Sequence, residues 1–219
     1  MKKIVIRSYM VGMVQTNVYY LHREGESAAI IFDPADYGRE LYEALTKQGL
    51  EIEAIFLTHG HFDHISGVKA LKEACGAPVY ASALEKDLLE DPHLNGSADI
   101  RRPVTVTADR YLIDGETVTA AGMTMRVIST PGHTEGGCCY YFDADETGGD
   151  PILISGDTLF EESIGRTDLP TGDMQDLVES IRTKLYALPD ETEVYSGHGG
   201  TTTIGHEKKY NFFVPESRA

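Results

Sequence analysis

Residues 58–67, THGHFDHISG, place His59, His61, Asp63 and His64 within six positions, directly after an apolar run. That run, Ala54-Ile55-Phe56-Leu57, reads as a buried strand, and Gly60 and Gly67 bracket a loop that passes into the helical pattern Val68–Cys75. In extended backbone, residues two apart point the same way, so His59 and His61 can converge on one cation. Asp63 and His64, at the turn into the helix, point in a different direction. One short loop then offers two ligand pairs, which suits two adjacent metals better than one. Solvated imidazole explains one isolated His, but not three His and one Asp at alternating positions on a strand end.

Three distant segments repeat the arrangement: TPGHTEGG (130–137), ISGDTLF (154–160) and VYSGHGG (194–200). Each has a strand-like lead-in and a Gly-bounded turn carrying one candidate ligand, His133, Asp157 or His198. Loops at strand ends commonly carry such groups, because the sheet fixes the loop bases. The candidates total seven, five His and two Asp. A structural zinc site closes with four ligands, so seven are too many for one ion. Two ions roughly 3.5–4 Å apart would use them all and leave an open position for a bridging water. None of the ligands is a thiolate, and imidazole with carboxylate suits zinc, iron or manganese. Two divalent ions per chain are expected, zinc first. Their four positive charges, less two carboxylates and a hydroxide, leave about +1 to stabilise an oxyanion. The ions also lower the pKa of bound water toward about 7, so hydrolysis needs no Ser or Cys nucleophile.

The pattern H-x-H-x-D-H at 59–64, then His133, Asp157 and His198 in that order, resembles the metallo-β-lactamase superfamily. Within it, the chain is similar to the glyoxalase II-like (hydroxyacylglutathione hydrolase-like) hydrolases, over nearly its whole length. The resemblance implies that His59, His61 and His133 bind one metal and that Asp63, His64 and His198 bind the second. Asp157 would bridge both, and Asp63 would also serve catalysis by orienting the metal-bound hydroxide. It further implies an α/β fold, an αββα sandwich of two mixed sheets flanked by helices, as a single domain over residues 1–219. The true zinc β-lactamases carry a Cys where this chain has Asp157. The flavodiiron reductases carry an acidic residue in place of His61 and add a flavodoxin domain, and the RNA-processing members need an inserted domain.

The activity so implied is thioester hydrolysis of the hydroxyacylglutathione type or on a smaller analogue. A C-terminal helical domain that helps larger relatives hold glutathione has no counterpart in this sequence. The connection 160–173, FEESIGRTDLPTGD, has one cation, Arg166. Relatives place a basic residue in the matching region against the thiol portion of the substrate, so Arg166 is a candidate for binding a substrate carboxylate. The GRTD sequence also resembles a compact single-domain subgroup and the persulfide dioxygenases. One alternative is therefore a mononuclear iron persulfide dioxygenase using His59, His133 and Asp157, the two-His, one-carboxylate set suited to Fe(II). Lactone hydrolysis with the same metal core is another, and a non-catalytic metal-binding module a third.

The elements that must position these residues follow from the pattern. Strands are expected at Ile4–Arg7, Val18–His22, Ala28–Phe32, Ile52–Leu57 and Ala77–Ala81, with helices over Gly38–Gln48, up to Cys75, and near Ala83–Glu90. Residues 91–103 are the least patterned stretch. Strands Glu116–Ala120, Met123–Ser129, near 138–142 and near 151–154 come next, then a helix over Met174–Leu188, the strand Glu193–Tyr195 and a helix around Thr203–Tyr210. The acidic, Gly-rich stretch Ala144–Asp150 reads as a solvated turn. His22, His93 and His206 read as surface residues.

The chain has 219 residues, 41% hydrophobic and 25% charged, which fits one globular domain with a proper core. A net charge of −16 disfavours nucleic acid and anionic membranes. No apolar run is long enough to span a bilayer, and Arg7 interrupts the N-terminal run before it reaches secretory length. Cytoplasmic location and a small thioester or ester substrate, anionic in some cases, are the expectations. Three Cys do not read as a disulfide framework.

Overall fold

The computed structural model of the chain describes residues 2–215. Two six-stranded mixed sheets face one another, with helices on both outer faces. In the first sheet, β1 (Ile4–Val11), β2 (Thr16–Arg23) and β3 (Ala28–Phe32) form an antiparallel meander. Then β4 (Glu51–Phe56), β5 (Val79–Ser82) and β6 (Arg110–Leu112) add in parallel. The intervening helices are α1 (Gly38–Lys47), α2 (Phe62–Ile65), α3 (Val68–Cys75) and α4 (Lys86–Glu90), the last preceded by a 3₁₀ turn at Ala83–Glu85.

The strands of the second sheet are β7 (Thr117–Ala120), β8 (Met123–Ser129), β9 (Cys138–Phe142), β10 (Ile152–Gly156), β13 (Glu193–Ser196) and β14 (Thr202–Thr203). They run in the order β14-β13-β10-β9-β8-β7. A separate small hairpin joins β11 (Leu159–Phe160) to β12 (Ser163–Ile164). Helices α5 (Ala144–Thr147), α6 (Met174–Ser180) and α7 (Ile204–Tyr210) complete this half.

Strand alternation builds the layers. Ile30 and Phe32 enter the central core between the sheets with Phe56, Tyr140 and Phe142, whereas Ala29 and Ile31 face α1 and α3. In the second sheet Ile152 and Ile154 face the centre, and Leu153 faces the helical side with Leu177 and Ile204. Cys138 and Cys139 take opposite faces, and both are buried, free thiols. Each fully buried large apolar side chain contributes about 1.5–3 kcal/mol of transfer free energy.

Three features differ from the expectation. The helix over 174–188 changes to a π-helical turn at Ile181–Leu185, closed by Tyr186 N–H donating to the Ile181 carbonyl at 2.9 Å. The widened turn lets Ile181, Leu185, Tyr186 and Leu188 all reach the core. The stretch 144–150 is not simply a turn: Asp143 caps α5 by accepting from the Glu146 N–H, and Gly148 ends it in a left-handed conformation. Glu146 then pairs with the buried Arg23. Short strands β6, β11, β12 and β14 carry too few residues to show a period. No helix among the described residues is long and apolar enough to cross a membrane.

Candidate metal centre

The loops after β4, β8, β10 and β13 meet at one edge of the sandwich, and all seven expected ligands come together there. His59, His61 and His133 bring ligand atoms within 4.8 Å of one another, and so do Asp63, His64 and His198. His133 Nε2 lies 2.9 Å from His61 Nδ1 and 3.3 Å from His59 Nε2. In the second set His198 Nε2 is 3.2 Å from Asp63 Oδ2, and His64 Nε2 is 3.6 Å from it. Asp157 stands between the sets, with Oδ1 3.3 Å from His64 Nε2 and Oδ2 3.4 Å and 3.6 Å from Nε2 of His198 and His133. Tetrahedral ligands about 2.0–2.1 Å from zinc lie roughly 3.3 Å apart, so these spacings suit a shared cation.

The donor chemistry fits as well. His64 Nε2 and Asp157 Oδ1 are buried and have no hydrogen-bond partner among the described residues, although each points into the cluster. Orphaned buried polar atoms are costly in a folded protein, and a cation would satisfy both. Gly197 permits the approach of Asp157, since a Cβ there would sit 2.2 Å from Asp157 Oδ1.

Outer contacts set the tautomers. His64 Nδ1 lies 3.0 Å from Asp33 Oδ2, and His133 Nδ1 lies 2.7 Å from the Arg166 carbonyl oxygen. Both acceptors require an N–H at Nδ1. Thr58 Oγ1 donates to Asp33 Oδ2 at 2.7 Å, so it accepts from His59 Nδ1–H at 3.0 Å. In its neutral form each of these three imidazoles therefore directs an Nε2 lone pair inward, the arrangement that a metal ligand needs. Thr16 Oγ1 donates to Asp63 Oδ2 at 3.1 Å, and Asn17 holds the His198 loop through the carbonyls of Ser196 and Gly199.

The two sets differ in charge. Burial, then the neighbouring His64, His133 and His61, keeps His59 well below the ordinary imidazole range. Burial and the adjacent His133 push His61 down to about 3, and burial also lowers His133. Burial opposes charge on His64, but Asp157 and Asp63 outweigh it and raise this group well above its usual value. His198, against its burial, is raised to about 9 by hydrogen bonds to Asp157 and Asp63. Asp157, also against burial, is held well below the carboxylate range by His64 and His198. One set thus offers neutral imidazoles and the other balances cationic imidazoles with carboxylates, where a divalent cation would take the place of the protons.

Two further residues were not legible as site residues. Asp33 accepts from Thr58 N–H and Thr58 Oγ1 as well as facing His64. The buried Glu85 accepts from Gly60 N–H at 2.7 Å, Thr134 Oγ1 at 2.5 Å and the Gly136 N–H. It thereby ties the His59–His61 loop to the loop of His133.

A cavity of about 600 Å³ opens over the cluster, its floor including His61, Asp63, His133, Asp157 and His198. Its walls come from two stretches: Leu94 and Ile100 from 91–103, and Phe160, Ile164 and Leu169 from the connection 160–173. Arg166 lies on its rim, with its guanidinium paired to Asp168 at 2.7 and 2.8 Å. His93 is exposed on the same rim, His22 is half-buried away from the cluster, and the partly exposed His206 pairs with Glu162 at 3.0 Å.

Comparison with known proteins agrees with this geometry. The family model for the metallo-beta-lactamase superfamily matches residues 11–198. The chain is 39% identical to the probable metallo-hydrolase YqgX of Bacillus subtilis over 95% of its own length and 96% of that protein. It is 34% identical to the hydroxyacylglutathione hydrolase GloC of Haemophilus influenzae, covering 87% of this chain and 89% of GloC. Among solved structures, the BLEG-1 B3 metallo-beta-lactamase is 41% identical with a TM-score of 0.88, covering 96% of this chain and 99% of that one. The di-iron-bound form of TTHA1623 is 33% identical with a TM-score of 0.82, over 94% and 99%. With its family match over residues 11–198 and such relatives along almost its whole length, the chain belongs to the metallo-beta-lactamase superfamily.

Proposed function

We propose that this metal-dependent hydrolase is a binuclear thioesterase of the glyoxalase II type. The observation that carries the reading is the seven-ligand cluster, five of whose members floor a cavity of about 600 Å³, with two orphaned ligand atoms facing one another. His59, His61 and His133 would hold one ion and Asp63, His64 and His198 the other, with Asp157 shared. Two divalent ions there supply Lewis acidity to the carbonyl oxygen and acidify the hydrolytic water. Zinc suits these ligands, and the di-iron TTHA1623 favours iron as the alternative.

The chain's own groups do the rest. Asp63, steadied by Thr16 Oγ1, accepts a hydrogen bond from the attacking water and aims it at the carbonyl carbon. A C–O bond forms, the C–S bond breaks, and the proton lost by the water goes to the departing thiolate, so that acid and thiol leave. Arg166 can bind a substrate carboxylate at the rim by giving up or sharing Asp168, because a fully exposed ion pair of this kind is screened by solvent and holds its partners weakly. The GloC similarity supports the thioester as the bond cleaved.

The likeness to BLEG-1 favours a second reading, opening of a β-lactam amide, even with Asp157 in place of the expected Cys. Purified, metal-replete protein should release thiol from S-lactoylglutathione and simpler thioesters, lose this activity to a chelator, and act far more slowly on a chromogenic cephalosporin. Cephalosporin hydrolysis without thiol release would replace the first reading with the second. Oxygen consumption with a persulfide would remove both.

A further inference from the structure

Deepening the thioesterase reading, on which this inference rests, we propose that the substrate is a thioester of an apolar acyl group with at most one carboxylate. Apart from the ligand cluster, the cavity is walled chiefly by apolar side chains: Phe62, Leu94, Ile100, Phe160, Ile164 and Leu169. All but Ile164 are only half-buried, so they keep apolar surface that an apolar substrate would remove from water.

The walls are built rather than loose. Asn95 and Ser97 are fully buried, and Asn95 accepts the Phe62 N–H at 2.9 Å through its carbonyl while its side chain donates to the Val104 carbonyl at 3.0 Å. This fixes the 91–103 wall to the loop of His61 and Asp63. The other wall is tied to the His133 loop by Asp173 N–H donating to the Gly132 carbonyl at 2.8 Å and Glu135 N–H donating to Thr171 Oγ1 at 3.2 Å. A preformed cavity avoids an ordering cost on binding.

Charge points the same way. A glutathione thioester brings two carboxylates and an ammonium group. Against them the lining offers one permanent cation, Arg166, already bonded to Asp168, and a carboxylate, Asp99. One carboxylate can be met at the rim, but the second has no partner in the lining other than the exposed imidazole of His93.

The test uses metal-replete protein and thioesters of one neutral thiol, N-acetylcysteamine, from acetyl to octanoyl, with the glutathione thioester of each acyl group beside it. Each buried methylene should raise kcat/KM by about three- to fourfold until the cavity is filled, so the step from acetyl to hexanoyl gives about 80- to 250-fold if all four added methylenes are buried and at least about tenfold if two are. Glutathione in place of the neutral thiol should gain less than about threefold. Leu94→Ser should flatten the chain-length dependence while metal content, measured separately, stays at the parent value. A chain-length gain below tenfold in the parent protein, or a larger preference for glutathione, overturns the inference and leaves the thioesterase reading intact. Turnover of none of these thioesters overturns both.

Discussion

His64 Nε2 lies 3.3 Å from Asp157 Oδ1, and neither of these buried atoms has a hydrogen-bond partner among the described residues. The pair sits where the two ligand sets meet. Asp157→Ala should therefore empty the Asp63–His64–His198 set first and lower hydrolysis by more than about 100-fold, since even outer partners of metal ligands cost 10- to 100-fold. Metal content and rate measured on the same preparation check this, and full occupancy in the variant would remove Asp157 from its shared position.

His61→Ala separates hydrolysis from dioxygenation. A binuclear hydrolase loses one of three imidazoles from the His59–His61–His133 set, and its rate should fall by orders of magnitude. A mononuclear iron enzyme using His59, His133 and Asp157 should keep its iron. Survival of bound iron together with oxygen consumption on a persulfide would contradict the hydrolase account.

Arg166→Ala should raise KM for a carboxylate-bearing thioester with little change in kcat, the sign of lost uniform binding. A charge-assisted bond of about 1.5–3 kcal/mol, less what Asp168 already takes, leaves roughly a tenfold loss in kcat/KM. Asp168→Asn should act oppositely by freeing the guanidinium. Equal losses on charged and neutral thioesters would show that Arg166 instead supports the 160–173 loop, whose own carbonyl at this residue holds His133.

Glu85 gives a pH signature. Burial raises its carboxyl to about 7 from 4.5, against the bonds from Thr134, Gly60 and Gly136. Between those values the folded state binds more protons than the unfolded state, so this group's contribution to stability is complete below pH 4.5 and is lost as pH rises to about 7. The loss is on the order of 3 kcal/mol. Glu85→Gln puts an amide N–H against one of the donors, so it should be destabilising at low pH and become less so, relative to the parent, toward pH 8. Denaturant unfolding of both proteins across this range checks it, and a constant difference would mean that Glu85 titrates normally.

The sequence carried the ligands because His and Asp at strand ends, bounded by Gly, have few other uses at that density. Asp33 follows the same rule after β3, but Asp33-Pro34 alone reads as a turn, and only its tertiary contacts to Thr58 and His64 show its role. Glu85 lies in ALEKDLLE, where a Glu reads as solvated; Gly60 and Gly136 approach it only in the folded chain. The walls at 91–103 and 160–173 show no period because turns, a side-chain cap and the two-residue strands β11 and β12 satisfy their backbone, not any long helix or strand. Sheet order rests on pairings between distant segments that no local pattern records.

The central claim is that two ligand sets, joined by Asp157, hold two ions. Metal stoichiometry answers it most directly: protein saturated with zinc or iron, freed of loose metal and measured by mass spectrometry of the elements, with hydrolysis followed during the titration. Two ions per chain, with thioester hydrolysis reaching its full rate only at the second, is the expected result. Full activity at one ion per chain, with no second ion taken up, would contradict the account.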